Sequence, residues 1–253
     1  MKALLNRHAS LATFIGVLLL WELACRTLPI PVFVLPAPSQ IVAAAFDLGL
    51  ARWMSHLTAT LQVALAGYLV AIAIALPLAV ALTNSALLSR TLMPWLVVVQ
   101  STPIVAVAPI IVVVLGAGNL PRIVITTLIA FFPLVISSAT GMASAPPELI
   151  ELSRSLRAPR SREYTQIRLP HAVPYIFSAL KVSITLAVIG AVVAEFVAAE
   201  QGLGYLILFA TSSFKVPLAF ASLAILVCSS LLLYGAILWL HRRLFPWSLT
   251  SPA

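Results

Sequence analysis

Charge is the scarcest thing in this sequence. Of 253 residues, 9% are Asp, Glu, Lys or Arg and 62% are hydrophobic, whereas folded soluble domains carry about a quarter charged residues and about half apolar ones. The deficit, with a mean hydropathy of +1.10, excludes an ordinary soluble domain and points to lipid as the solvent. Cysteine is nearly absent too. Cys25 and Cys228 are the whole supply, both in apolar stretches, which excludes a disulfide framework and a thiolate metal cluster. Lysine occurs only at 2, 181 and 215, never after glycine, so no G-x4-G-K-[S/T] loop is available to cradle ATP phosphates. The basic surplus, +8 formally, is spread over segment ends and one loop. No compact basic domain forms, which argues against nucleic acid as a partner.

What the chain does have is long runs without charge. They lie between Arg52 and Arg90, Arg90 and Arg122, Arg122 and Glu148, and Lys215 and Arg242. Each exceeds the roughly 20 residues a helix needs to cross a bilayer. A closed barrel requires alternating polarity, and a run such as Ala71-Ile72-Ala73-Ile74-Ala75-Leu76 has no polar face. The expected fold is all-α: one polytopic membrane domain over 1–253, with six spans near 11–28, 57–83, 93–115, 123–142, 173–199 and 217–240. Lys2 and Arg7 ahead of an apolar run resemble a signal peptide, but Glu22 and the lack of an adjoining Ala-x-Ala site favour a retained first span. Pro29, Pro31, Pro36 and Pro38 then interrupt the helix until Ser39 caps a short one. Asn84-Ser85 and Ser89-Arg90 separate the second and third spans. His8, His56, His171 and His241 sit at span ends without ligand spacing, so they read as interfacial anchors and not as metal ligands.

The segment 146–170 breaks the pattern. Glu148, Glu151 and Glu163, three of the seven acidic residues, stand there with Arg154, Arg157, Arg160, Arg162 and Arg168. Because Lys and Arg are retained on the cytoplasmic side, this loop and both termini are expected to be cytoplasmic, leaving Arg26, Arg52, Arg122 and Lys215 outside. Pro146-Pro147 suits a helix start, with Glu148 and Glu151 near its positive end. Leu149, Leu152 and Leu156 recur at helical spacing, and Ala158 before Pro159 ends the helix. A second short helix from Arg160 to about Ile167 follows, until Leu169-Pro170 turns the chain into span five. The result is a helical hairpin on the membrane surface whose apolar stripe requires a groove on a partner.

Glu151-Leu152-Ser153, then position 157, then Ile167-x-Leu169-Pro170 resembles the E-A-A-x3-G-x9-I-x-L-P signature of ABC importer membrane subunits. Leu35-Pro36-x-Pro38, Gly67-Tyr68, Pro103, Pro109, Phe131-Phe132-Pro133, Ala194-Glu195 and Gly202-Leu203-Gly204-Tyr205 are similar to the nitrate, sulfonate and taurine permease branch. Arg157 stands where the signature has Gly and Ser153 where it has Ala, and a Gly there implies a positive φ or a close approach. The resemblance implies a permease subunit in a prokaryotic inner membrane, paired with a second identical copy, a cytoplasmic ATPase dimer and an extracytoplasmic binding protein. ATP and Mg would be held by the ATPase, so this chain would carry no cofactor and would not be an enzyme. It makes Glu148, Glu151, Leu152, Ser153, Leu156, Arg157, Ile167, Leu169 and Pro170 the ATPase-coupling residues. The implied cargo is a small anionic nutrient, nitrate-, sulfonate- or taurine-like; a thiamine-precursor pyrimidine is the alternative.

Polar residues inside the spans are candidates for the translocation route: Gln100, Ser101, Thr102 and Pro103 in span three, and Lys181 and Glu195 in span five. Fourteen residues at about 100° each leave Lys181 and Glu195 within about 40° of one another on the helix, and a charge facing lipid costs at least ~2.5 kcal/mol. A structural role for both is the competing expectation. Gly202 and Gly204 permit a tight turn and are candidates for an outer gate. A secondary transporter would need inverted repeats and midplane carboxylates, and an intramembrane enzyme a convergent nucleophile and base; the sequence offers neither.

Overall fold

The computed structural model describes residues 2–249. Among them every regular element is helical. The chain runs α1 (Lys2–Thr27), α2 (Pro38–Leu48), α3 (Leu50–Asn84), α4 (Ala86–Ser101), α5 (Ile104–Leu115), α6 (Asn119–Ala143) and α7 (Pro147–Ser155). It continues through α8 (Arg160–Arg162) and a π-helical segment (Glu163–Arg168) into α9 (Leu169–Ala198), then α10 (Leu203–Ser212) and α11 (Val216–Leu244).

Among the described residues four helical stretches are long and apolar enough to cross a membrane: α3, α6, the run from Arg160 through Ala198, and α11; α4 and α5, taken together as one bent span, make a fifth. The first expected span falls on α1, whose 26 residues extend about 39 Å at 1.5 Å each.

Small residues set the core. Gly67, Ala71, Ala75 and Ala79 recur every four residues along α3 and share one face, and all are buried. Ala130 and Ala139 of α6 and Ala179 and Ala187 of α9 pack in the same cluster. Lipid tails are as apolar as leucine, so helices in a bilayer associate through such close contact and not through exclusion of water. The approach at Gly67 is close enough that a β-carbon there would lie 2.6 Å from Cβ of Thr126. Large apolar side chains such as Phe14, Val113 and Leu232 point outward.

Several boundaries differ from expectation. Span three is not one helix: α4 and α5 meet at 94°, with Thr102 and Pro103 in extended backbone at the corner. Pro103 disfavours helical geometry for Thr102, which fixes the position of the break. Ser89 and Arg90 lie inside α4, and Ser85 alone separates it from α3, accepting the Leu88 N–H at 3.2 Å. Ser39 does not cap α2. Ala37 is the cap, its N–H held by Gln40 Oε1 at 2.9 Å, while the Ser39 N–H and hydroxyl both donate to Glu22 and tie α2 to α1. The expected loop after span five contains α10. Leu169-Pro170 does not turn the chain: the helix runs straight on into α9. The wider π turn just before Pro170 relieves the clash its ring would make with the carbonyl of residue 166.

Candidate functional site

The hairpin between α6 and α9 shows its apolar stripe to the outside. Leu149, Leu152 and Leu156 are 40, 55 and 73% exposed. Glu148 occupies the first turn of α7, where the helix dipole favours an acid, and Glu151 is exposed on the side of the helix away from the stripe. Ser153, one turn on from Leu149 at the flank of the stripe, is buried, and Ile167, Leu169 and Pro170 are half-buried along the root of the hairpin.

The turn at the end of α7 has a specific form. The Ala158 N–H donates to the Ser153 carbonyl at 3.0 Å and the Arg157 N–H to the Arg154 carbonyl at 2.9 Å. These are the two bonds of a Schellman cap, whose middle residue takes the left-handed conformation. That residue is Arg157, at φ 51°. The position where the family signature has Gly is therefore one that demands a positive φ, and here an arginine adopts it.

The root is held by charge. Glu163 is 7% exposed. Its carboxylate accepts from Arg168 Nε at 2.8 Å and faces Arg154 Nε at 3.8 Å. Arg168 also donates from a terminal nitrogen to the Met142 carbonyl at 3.2 Å, one of the last four carbonyls of α6 that lack a partner within their own helix. The Arg168 guanidinium lies 5.4 Å from the centre of the Tyr164 ring, whose hydroxyl reaches Thr83 of α3 at 3.4 Å. Glu163 and Arg168 were visible in sequence only as members of a charged loop; Met142 contributes a backbone atom and carried no signal.

At the other end of the bundle Glu195 is buried, 1% exposed. Its carboxylate accepts the Gly204 N–H at 2.7 Å. Beside it the Leu203 N–H donates to the Thr60 hydroxyl at 2.8 Å, and the Gly202 N–H to His56 Nδ1 at 3.2 Å. The start of α10 is thus capped by side chains of α3 and α9 where its free N–H groups form a positive end. Gly202 has φ 130°, and the Glu195 carboxylate occupies the space a β-carbon would need at Gly202 or Gly204. Thr60 and His56 had no signal as site residues, since their partners lie about 145 positions along the chain.

Gln100, Ser101, Thr102 and Pro103 are brought together at the α4–α5 corner, all exposed. Gln100 borders a cavity of about 270 Å³ with Ser137, Ser178 and Val182. Lys181 and Glu195 do not line it. A larger cavity, about 650 Å³, opens at the glycine-turn end and is bordered by Gln62, Asn119, Arg122, Glu200 and Gln201. Among the described residues no group of three or more His, Cys, Asp or Glu is placed to hold a metal ion.

Residues 67–247 match the family described as binding-protein-dependent transport system inner membrane component. The chain is 37% identical to the riboflavin transport system permease protein RibX of Chloroflexus aurantiacus, covering 93% of this chain and 88% of that one. It is 31% identical to the formylaminopyrimidine transport permease protein ThiX of Halalkalibacterium halodurans, over 92% and 93%. To the taurine transport system permease protein TauC of Escherichia coli it is 27% identical, over 91% and 84%. Its fold resembles that of a chain in the inward-facing MetNI methionine ABC transporter, with a TM-score of 0.67 at 21% identity, covering 78% of this chain and 98% of the other. The membrane-crossing helices, the exposed hairpin between α6 and α9 and these matches lead to one conclusion: the chain belongs to the binding-protein-dependent transport system inner membrane components, the permease subunits of ABC importers.

Proposed function

We propose that two copies of this chain form the membrane pathway of an ATP-driven importer, with both termini and the α7 hairpin on the cytoplasmic side. The hairpin docks into a groove of a separate ATPase, which holds the ATP and Mg. A binding protein delivers solute to the opposite face. The observation that carries this reading is the exposed stripe of Leu149, Leu152 and Leu156 on a hairpin whose root is buried and ion-paired; apolar side chains displayed this way in a polar loop call for a protein partner. Gln100, Ser101, Thr102 and Pro103 border the route, with Lys181 and Glu195 on its supporting helix, and Gly202 and Gly204 form the outer gate that Glu195 holds shut.

The solute is a small, water-soluble nutrient. A heterocycle of the pyrimidine or flavin kind is supported by the relatives of higher identity and by the uncharged Gln100, Ser137 and Ser178 around the membrane cavity. An anion is supported by Arg52, Arg122 and Lys215, which the proposed orientation puts on the outer face, and by the taurine relative.

Copurification with the cognate ATPase tests the docking. Leu152→Glu with Leu156→Glu is expected to abolish copurification while leaving the melting temperature unchanged, because both side chains are already exposed. Retention of the ATPase by that variant would refute the assignment.

A further inference from the structure

The reading of the hairpin as the ATPase dock leaves open how its movement reaches the bundle. Covalent links run to α6 through 144–146 and to α9 through the π segment. They attach at the two ends of the nine-residue helix, so by themselves they permit a swing about the line that joins them.

We infer that Glu163 and Arg168 are positioning residues for transport coupling, forming a buried brace that makes α6 move with α7. The carboxylate of Glu163 joins Arg154 of α7 to Arg168, and Arg168 joins that pair to the Met142 carbonyl at the end of α6. Three contacts thus run in series from the docking helix through the π segment to α6. The geometry suits a strut. Arg168 uses two different nitrogens, one on each partner, so the planar guanidinium fixes both directions at once. The Glu163 and Arg168 side chains are 10 and 13% exposed, against 69% for Arg154, so the inner limb is shielded from salt and water while the outer limb is not. Tyr164, stacked under Arg168, carries the same constraint to Thr83 on α3. Since α6 and α3 meet along the tight Gly67–Thr126 contact, a displacement at Met142 is passed on and not absorbed. An ion pair serving only solubility would sit on the surface; this one points inward and ends on a backbone atom of a membrane helix.

The inference rests on the ATPase-docking reading, and its test separates the two. Spin labels at Ser155→Cys on α7 and Ala143→Cys on α6, with Cys25 and Cys228 changed to Ser, report the distance between the two helices. The assembled permease–ATPase complex, diluted with unlabelled permease, is measured before and after trapping with MgATP and vanadate. In the otherwise native chain the distance is expected to stay the same on trapping. In Glu163→Gln and in Arg168→Met it is expected to shift on the order of 1–2 Å, the scale of helix displacements in switching transitions, with the ATPase still bound. Arg168→Lys, which keeps the charge, restores part of the constraint. Arg154→Ala cuts the one contact by which the brace reaches α7, at an exposed side chain, so it folds whatever the inner pair contributes and is expected to shift the distance as far as Glu163→Gln does. A native chain that fails to bind the ATPase overturns the docking reading and this inference with it. Native binding together with an unshifted distance in Glu163→Gln, Arg168→Met and Arg154→Ala overturns the brace alone.

Discussion

Arg157 offers a way to separate backbone strain from charge at the hairpin. A residue with a β-carbon in the left-handed region costs about 1–2 kcal/mol, a cost glycine avoids. Glycine in turn loses about 0.5–1 kcal/mol more conformational entropy on ordering. The difference leaves Arg157→Gly favoured by about 0.5–1 kcal/mol, which at RT of about 0.59 kcal/mol is a two- to five-fold change in the local opening equilibrium. The amides that report it are those of Leu156, Arg157 and Ala158, bonded to the carbonyls of Leu152, Arg154 and Ser153. Hydrogen exchange followed by mass spectrometry over 153–160, corrected for intrinsic rates, is expected to show that gain in protection for Arg157→Gly. Arg157→Ala keeps the β-carbon and deletes the charge, so its protection is expected to match the native chain. Arg157→Asn should fall between, since asparagine tolerates this conformation better than most residues. Equal protection in the Gly and Ala variants would refute the strain argument and leave the guanidinium as the relevant group.

Two further predictions concern the bundle. Glu195→Ala leaves the Gly204 N–H buried without its acceptor, a loss of about 1–3 kcal/mol, or roughly 2–4 °C in melting temperature per kcal/mol for a chain of this size. Glu195→Gln keeps an acceptor oxygen and should lose less, so equal melting temperatures for the two variants would remove the capping role. Gly67→Ala places a methyl against Thr126 where the helices touch; overpacking of this kind costs about 1–3 kcal/mol. A thermal melt unchanged from the native chain would refute the close α3–α6 approach.

The parts of this molecule that could be read from sequence are those written in local pattern. Charge-free intervals located most of the membrane helices, whereas the corner at Thr102 and Pro103 was not expected, because the apolar run through span three continues on both sides of it. The special turn at 157 was legible because Ala158-Pro159 ends the helix and the family signature has Gly there. What stayed hidden depends on contacts between distant residues or on atoms without side-chain identity. Thr60 and Leu203 meet across 143 positions, so neither announced the other. Gly202 and Gly204 read as a loop because their role is to admit the Glu195 carboxylate, after which α10 begins at once. Arg168 ends on the Met142 carbonyl, which every residue type possesses; the one available hint was a single acid, Glu163, set among five arginines.

The π segment at Glu163–Arg168 also sets where the hairpin tolerates a change of length. Its i→i+5 turn takes up one residue more than an α turn, so removing one residue there would let the chain rewind as ordinary α-helix with the leucines still on nearly the same bearing. The same deletion inside α9 would rotate everything before it by about 100°. The segment is therefore a slack link, able to lose a residue without turning the dock away from its partner.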